Sequence, residues 1–200
     1  MIHLDPPTSA LLARLERFAA DNDASAADRS QKMLNLERPT AELVFLLVAS
    51  ASRRRVLEIG TSNGYSAIWL ANALRVSRED TLVTIERDPV KAELARENLR
   101  AASLDTRVTV LEGDATALCE SLAGFFDCVF FDADRVSAPA QLAALLPKLT
   151  DDALLLADNV LSHPDENAGY LAAVDKTGQF DTLTVPVGKG LHIARRRHAL

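Results

Sequence analysis

At 200 residues the chain has the length of one domain, and a chain of that size buries roughly 70% of the surface its unfolded form exposes. Hydrophobic residues make up 48% and charged residues 25%, which excludes a disordered or fibrous chain. The 22 basic and 28 acidic residues leave a net charge of −6, against non-specific nucleic-acid binding, and no apolar run approaches the ~18–20 residues of a membrane span. The start, MIHLDPPTSALLARLERF, carries no signal-peptide pattern. Cys119 and Cys128 supply neither a disulfide framework nor a zinc site, so free, packed thiols in a cytoplasmic domain are expected. Aromatic residues are few, at 5%.

The spacing of Leu11, Leu12, Leu15 and Phe18 predicts a helix over 9–18, and the small polar stretch 19–30 reads as a loop or frayed connector. Apolar positions return at Met33, Leu34 and Leu36. Pro39 opens a second helix through Val48. From residue 55 strands and helices alternate. VLEIG (56–60), TLVTIE (81–86), RVTVLEGD (107–114), FDCVFFDAD (126–134) and ALLLADN (153–159) read as strands. Helical stretches fall at 66–74, 89–102, 115–123, 138–148 and 165–177, with Ile68 and Trp69 expected in the core. The segment 180–197 reads as two strands around a turn at Val187–Gly190. This is an α/β pattern: a doubly wound sheet, mostly parallel with a C-terminal antiparallel hairpin, and helices on both faces. The whole chain, 1–200, reads as one domain, with a helical cap over 1–50 and the α/β core over 55–200.

In such a sheet ligands bind beyond the carboxyl ends of the strands. The first of these loops reads Glu58-Ile59-Gly60-Thr61-Ser62-Asn63-Gly64-Tyr65-Ser66. It lacks the third-position glycine of G-x-G-x-x-G, which disfavours a nicotinamide dehydrogenase. Gly60 and Gly64 allow a tight turn with close backbone approach to a ligand, and Ser66 lies near a helix N-terminus. Glu86, ending the second strand, is placed to accept both hydroxyls of a ribose. The alternative is a plain turn beside a solvated acid.

LEIGTSNGYS with Glu86 resembles the S-adenosylmethionine (SAM) site of class I methyltransferases, a Rossmann-like fold. FFDADR and LLADN at later strand ends are similar to the cation-dependent O-methyltransferases of the catechol and caffeoyl-CoA type, and the resemblance runs from Lys32 onward. It implies that Glu58, Gly60, Thr61 and Ser66 hold the amino-acid end of SAM, Glu86 its ribose, and Asp114 and Ala115 its adenine. Asp132 and Asp134 would be further cofactor contacts. Leu34, Asn35 and Leu36 would close over the cofactor from an N-terminal helix. A homodimer is implied as well.

The same resemblance makes Asp132, Asp158 and Asn159 a metal ligand set. Oxygen-only ligands suit Mg²⁺, Mn²⁺ or Ca²⁺ rather than zinc, and such an ion can activate one of two vicinal phenolic hydroxyls. Helix capping is the structural alternative for both aspartates. Three readings of function stay open: a metal-assisted O-methyltransferase of a small catechol-like phenol, a metal-independent methyltransferase, and a SAM-binding protein with reduced catalysis.

The chain departs from the family at several places. Arg135 stands where the family has lysine; it keeps the charge but does not deprotonate, so its expected role is to stabilise negative charge. His163 is a second catalytic candidate, able to accept a phenolic proton near neutral pH, or else an exposed loop histidine. The aromatic and glycine residues usual after the strand-end motifs are missing, Lys189 replaces an aspartate, and little room is left for a substrate-binding insertion. A smaller or more polar substrate is expected. Cys119 reads as a packed apolar residue, and Arg195–His198 as a solvated tail.

Overall fold

The structure is a computed structural model in which residues 2–74 and 80–198 are described. Helix α1 (Pro6–Ser25) starts where Asp5 accepts from the Thr8 N–H and hydroxyl at 2.9 and 2.8 Å, with prolines in its first turn. It runs seven residues beyond the predicted end at Phe18. The polar residues there are anchors rather than loop: Ala19 is buried, Asn22 donates to the Gln31 carbonyl, and the Asp23 carboxylate accepts from the N–H groups of Met33 and Leu34. After a short 3₁₀ turn at Arg29–Gln31, helix α2 (Arg38–Ser50) follows, opened by Pro39.

The core alternates β1 (Arg55–Ile59), α3 (Tyr65–Ala73), β2 (Thr81–Glu86), α4 (Pro89–Ala101), β3 (Val108–Glu112), α5 (Ala115–Ser121), β4 (Phe126–Phe131), α6 (Ala138–Leu145), β5 (Leu149–Ala157) and α7 (Pro164–Thr177). It closes with β6 (Phe180–Val185) and β7 (Leu191–Arg196). The sheet order is β3-β2-β1-β4-β5-β7-β6, parallel through β5 and antiparallel over the terminal hairpin. The order reverses between β1 and β4, and a ligand crevice opens at such a switch point. Strand β5 begins four residues before the expected Ala153, because Leu149 pairs with Phe126 across a register shift and the intervening Asp152 is held by Arg53.

Two apolar layers cover the sheet. One packs α1, α2, α3 and α4 against Val56, Leu82, Cys128 and Leu156, with Trp69 buried edge-on to Phe45 at 6.1 Å. The other packs α5, α6 and α7 against Leu57, Ile85, Val129 and Leu155, with Cys119 inside it. Both cysteines are free and buried, as packed thiols should be.

The amino-terminal edge of the sheet is tied by ion pairs, Arg53–Asp152 and Arg54–Asp80, each at 2.9 Å, and Asp127 accepts from the N–H groups of Arg54 and Arg55. The expected basic tail is corrected here. Arg195 and Arg196 belong to β7, the Arg196 guanidinium donates to Gln179 and to the Leu149 carbonyl, and Arg197 pairs with Asp181. The reading of 180–197 as two strands already covered these residues; they are solvent-facing in part, Arg195 and Arg197 being exposed, but not a tail. Among the described residues no helix is long and apolar enough to cross a membrane.

Candidate active site

The strand order lines up the residues that follow each parallel strand. Reading across the carboxyl edge, Asp114 follows β3, Glu86 ends β2, Gly60 follows β1, Asp132 follows β4 and Asp158 follows β5. Neighbouring strands are ~4.8 Å apart, so this row spans roughly 20 Å. Backbone bonds carry the ladder one step past the strands: Gly60 N–H to Ile85 O, Asp132 N–H to Ile59 O and Asp158 N–H to Phe131 O, at 3.0, 2.9 and 3.2 Å. The first residue of each loop is thereby anchored to the neighbouring strand.

The glycine loop needs its glycines. Gly60 has φ +102°, and a Cβ there would overlap the backbone of Asp132; Gly64, at φ +84°, caps α3 against Ala95. Ser62 N–H donates to Glu86 Oε2 at 2.7 Å, and Asp88 N–H to Glu86 Oε1 at 3.0 Å, so the Glu86 carboxylate is oriented while keeping lone pairs for other donors. Beneath the loop, the hydroxyls of Thr61 and Thr84 meet at 2.5 Å, and Thr84 donates to Glu58 Oε2 at 2.6 Å. Glu58 is fully buried and its Oε1 has no partner among the described residues. Burial, with some help from Glu86, pushes its carboxyl up to about 7, against the pull of the Ser66 and Thr84 hydroxyls.

A strap crosses this loop. Met33 O accepts from the Ser62 hydroxyl at 2.6 Å, Lys32 O accepts from Lys91 Nζ at 2.7 Å, and Asp23 holds the next two N–H groups. Leu34, Asn35 and Leu36 therefore lie near the glycine loop as expected, but in this non-helical strap before α2 rather than in a helix. Leu34 has φ +52°, and Asn35 donates to the Leu15 carbonyl at 3.3 Å with its own Oδ1 buried and unpartnered.

On the other side of the switch point, burial raises the Asp132 carboxyl well above its usual range, with Asp158 and Glu58 adding repulsion and Arg135 and Lys189 opposing it. Asp158 is pushed up to about 6 by burial. Asn159, at φ +67°, donates from Nδ2 to Asp158 Oδ2 at 2.7 Å, while the buried Asp158 Oδ1 has no partner among the described residues. Among those residues no three His, Cys, Asp or Glu side chains cluster as a metal site; the set here is two carboxylates and one carboxamide. Two mutually repelling acids with an orphaned buried oxygen and an adjacent amide oxygen fit a hard divalent cation.

The flanking candidates divide. Arg135 is mostly buried and pairs with Glu166 at 3.0 Å. His163 occupies the position before α7 without a side-chain cap, and its Nδ1 lies 2.8 Å from the Ser162 hydroxyl. Lys189 lies in the β6–β7 turn, 3.6 Å from Glu37, and its carbonyl accepts from the N–H groups of Leu161 and Ser162. Two other expected residues are engaged locally: Asp134 accepts from Val136 N–H and the Ser137 hydroxyl, and Asp114 caps α5 through the Ala117 N–H, with Ala115 next in that helix.

Residues 57–160 match the family described as a methyltransferase domain. The chain belongs to this family. A catechol O-methyltransferase from Mycobacterium tuberculosis is 39% identical over 131 residues, covering 65% of this chain and 57% of that one. Another, from Niastella koreensis, is 32% identical over 148 residues, covering 72% and 65%. The chain thus spans less than two thirds of the length of these relatives. The crystal structure of the O-methyltransferase TomG from Streptomyces achromogenes, in complex with SAM, shares the fold with a TM-score of 0.76 at 27% identity, over 98% of this chain and 92% of that one.

In this methyltransferase fold, Glu58 and Thr61 are closed to solvent, and Ser66 nearly so, whereas Gly60 is partly open. Thr84 escaped the sequence reading. It sits in register with Glu58 on β2, and a hydroxyl inside the β-branched run TLVTIE was the available signal. Lys91 and Asp23 were also missed, since their partners are backbone atoms distant in sequence.

Proposed function

We propose that the chain is a SAM-dependent O-methyltransferase that methylates a hydroxyl of a small catechol-like phenol with a divalent cation held at Asp132, Asp158 and Asn159. The observation that carries this reading is the adjacency of the glycine loop and the acid pair at the switch point, with Asp158 Oδ1 buried and unpartnered. The names and bound cofactor of the relatives support it. SAM would supply an electrophilic methyl group, and a Mg²⁺-type ion the Lewis acidity that lowers a phenol's pKa.

The chain's own residues orient these groups. Glu86, steered by two N–H donors, accepts from a vicinal diol, and Gly60 lets the backbone approach. Thr61, Thr84 and Glu58 form the floor that keeps the loop in shape. Arg135 sets a permanent positive charge beside Asp132, restrained by Glu166, and acts on a developing phenolate by charge alone. His163 is the base. The Ser162 hydroxyl donates to Asn159 O at 3.3 Å, so its lone pair accepts from His163 Nδ1–H, and Nε2 is left to take a proton.

Methyl transfer to a panel of catechols, with EDTA and with Mg²⁺ restored, tests the proposal. Turnover abolished by EDTA and recovered with Mg²⁺ is expected. One observation favours a metal-independent methyltransferase: the Asn159–Asp158 hydrogen bond satisfies one oxygen of the pair internally. Turnover indifferent to EDTA selects that reading.

A further inference from the structure

The first turn of α7 touches both loops of the site. Glu166 reaches Arg135 after β4, and Asn167, only 2% exposed, reaches the turn after β5. Asn167 Nδ2 donates to the carbonyl oxygens of Asn159 and His163, at 3.1 and 2.9 Å. The bond to His163 belongs to the start of the helix. The bond to Asn159 reaches eight residues back, outside the helix, and capping does not require it.

Its target is unusual. Asn159 holds a left-handed backbone at φ +67°, a conformation that favours glycine and that asparagine tolerates at a modest cost. The turn 160–163 is also held by the β6–β7 turn, where Gly190 O and Lys189 O accept the N–H groups of Val160, Leu161 and Ser162. The Asn159 carbonyl also accepts from the His163 N–H at 3.1 Å and the Ser162 hydroxyl at 3.3 Å, both from within the turn, so the buried Asn167 amide is the donor that ties this carbonyl to α7.

We propose that Asn167 is a positioning residue for Asn159. Its amide holds the left-handed turn in which the Asn159 carboxamide lies against the Asp158 carboxylate, and so sets the spacing of the oxygens offered to a divalent cation. This rests on the cation reading given above. A side chain two shells from an ion commonly changes affinity 10- to 100-fold through such orientation.

The test measures Mn²⁺ binding to the SAM-free protein by electron paramagnetic resonance, alongside S-adenosylhomocysteine binding by calorimetry, in wild type and Asn167→Leu. The leucine keeps the branched shape, at a larger volume, and removes both donors; should it overpack the site, Asn167→Ala carries the test. The expected result is a 10- to 100-fold weaker Mn²⁺ Kd with homocysteine-cofactor affinity within about twofold. A folded variant binding Mn²⁺ as wild type does overturns the proposal. Wild-type protein that binds no Mn²⁺ instead removes the cation reading, and hydrogen exchange then decides Asn167's role. Amides of residues 160–163 exchanging about tenfold faster in the variant, with α7 unchanged, uphold positioning; faster exchange confined to α7 reduces Asn167 to a helix cap and overturns it.

Discussion

Glu58 is a carboxyl with no access to water and one unpartnered oxygen, directly under the glycine loop. Its folded value of about 7 lies above the ordinary 4.5, so between those two values the folded chain binds more protons than the unfolded one. Stability therefore falls as pH rises through that window. Glu58→Gln keeps an acceptor for Thr84 and cannot ionise, so its stability relative to wild type should rise with pH, by about 3 kcal/mol in all. Urea unfolding of both proteins in metal-free buffer at pH 5 and pH 8 reads the difference. Asp158 titrates in both and cancels, while Asp132, relieved of Glu58's repulsion in the variant, shifts the difference in part; parallel curves would mean Glu58 keeps its charge when folded. Arg135 and His163 are tested by kinetics. Arg135→Ala and His163→Gln should each lower kcat with cofactor affinity intact. Full turnover in either variant removes that residue from the chemistry.

At the scale of elements, the strap over 32–35 depends on the end of α1, the part of that helix that composition represented as loop. Alternation, prolines and strand-ending acids made the core elements legible, because local patterning and tertiary burial agree there. The last turns of α1 were not legible, since AADNDAS owes its helix to partners in the strap. The site divided the same way. Strand-end acids announce themselves by position, whereas Thr84 and Lys91 act through contacts distant in sequence and Asn167 through a turn that only the fold brings to it. Asp23→Ala removes the two charge-assisted bonds to Met33 and Leu34 and should loosen the strap. A cofactor affinity weaker by about tenfold is expected from calorimetry, with a melting curve confirming that the variant, though less stable, is folded at the assay temperature. An unaltered affinity would show that the strap does not take part in holding the cofactor.

Across the whole molecule the two edges of the sheet do different work. Arg53, buried at the amino-terminal edge and paired with the half-exposed Asp152, is far along the strands from the candidate site. Arg53→Ala leaves a carboxylate without its partner and should cost about 1–3 kcal/mol in denaturant unfolding, with kcat of the folded enzyme preserved. A fall in kcat at full stability would contradict that division of labour.

The continuation of the parallel ladder one residue past β1, β4 and β5 has a consequence for how this chain can diversify. The residues proposed to set cofactor and cation geometry inherit their placement from the sheet, while 133–137 lie beyond the parallel ladder and 160–163 are held by the β6–β7 turn instead. On the proposed reading, substitutions there other than at Arg135 and His163 can reshape the mouth of the crevice while leaving its chemistry in place. New substrates thus lie a few surface mutations away, and new chemistries require dismantling the sheet's own edge.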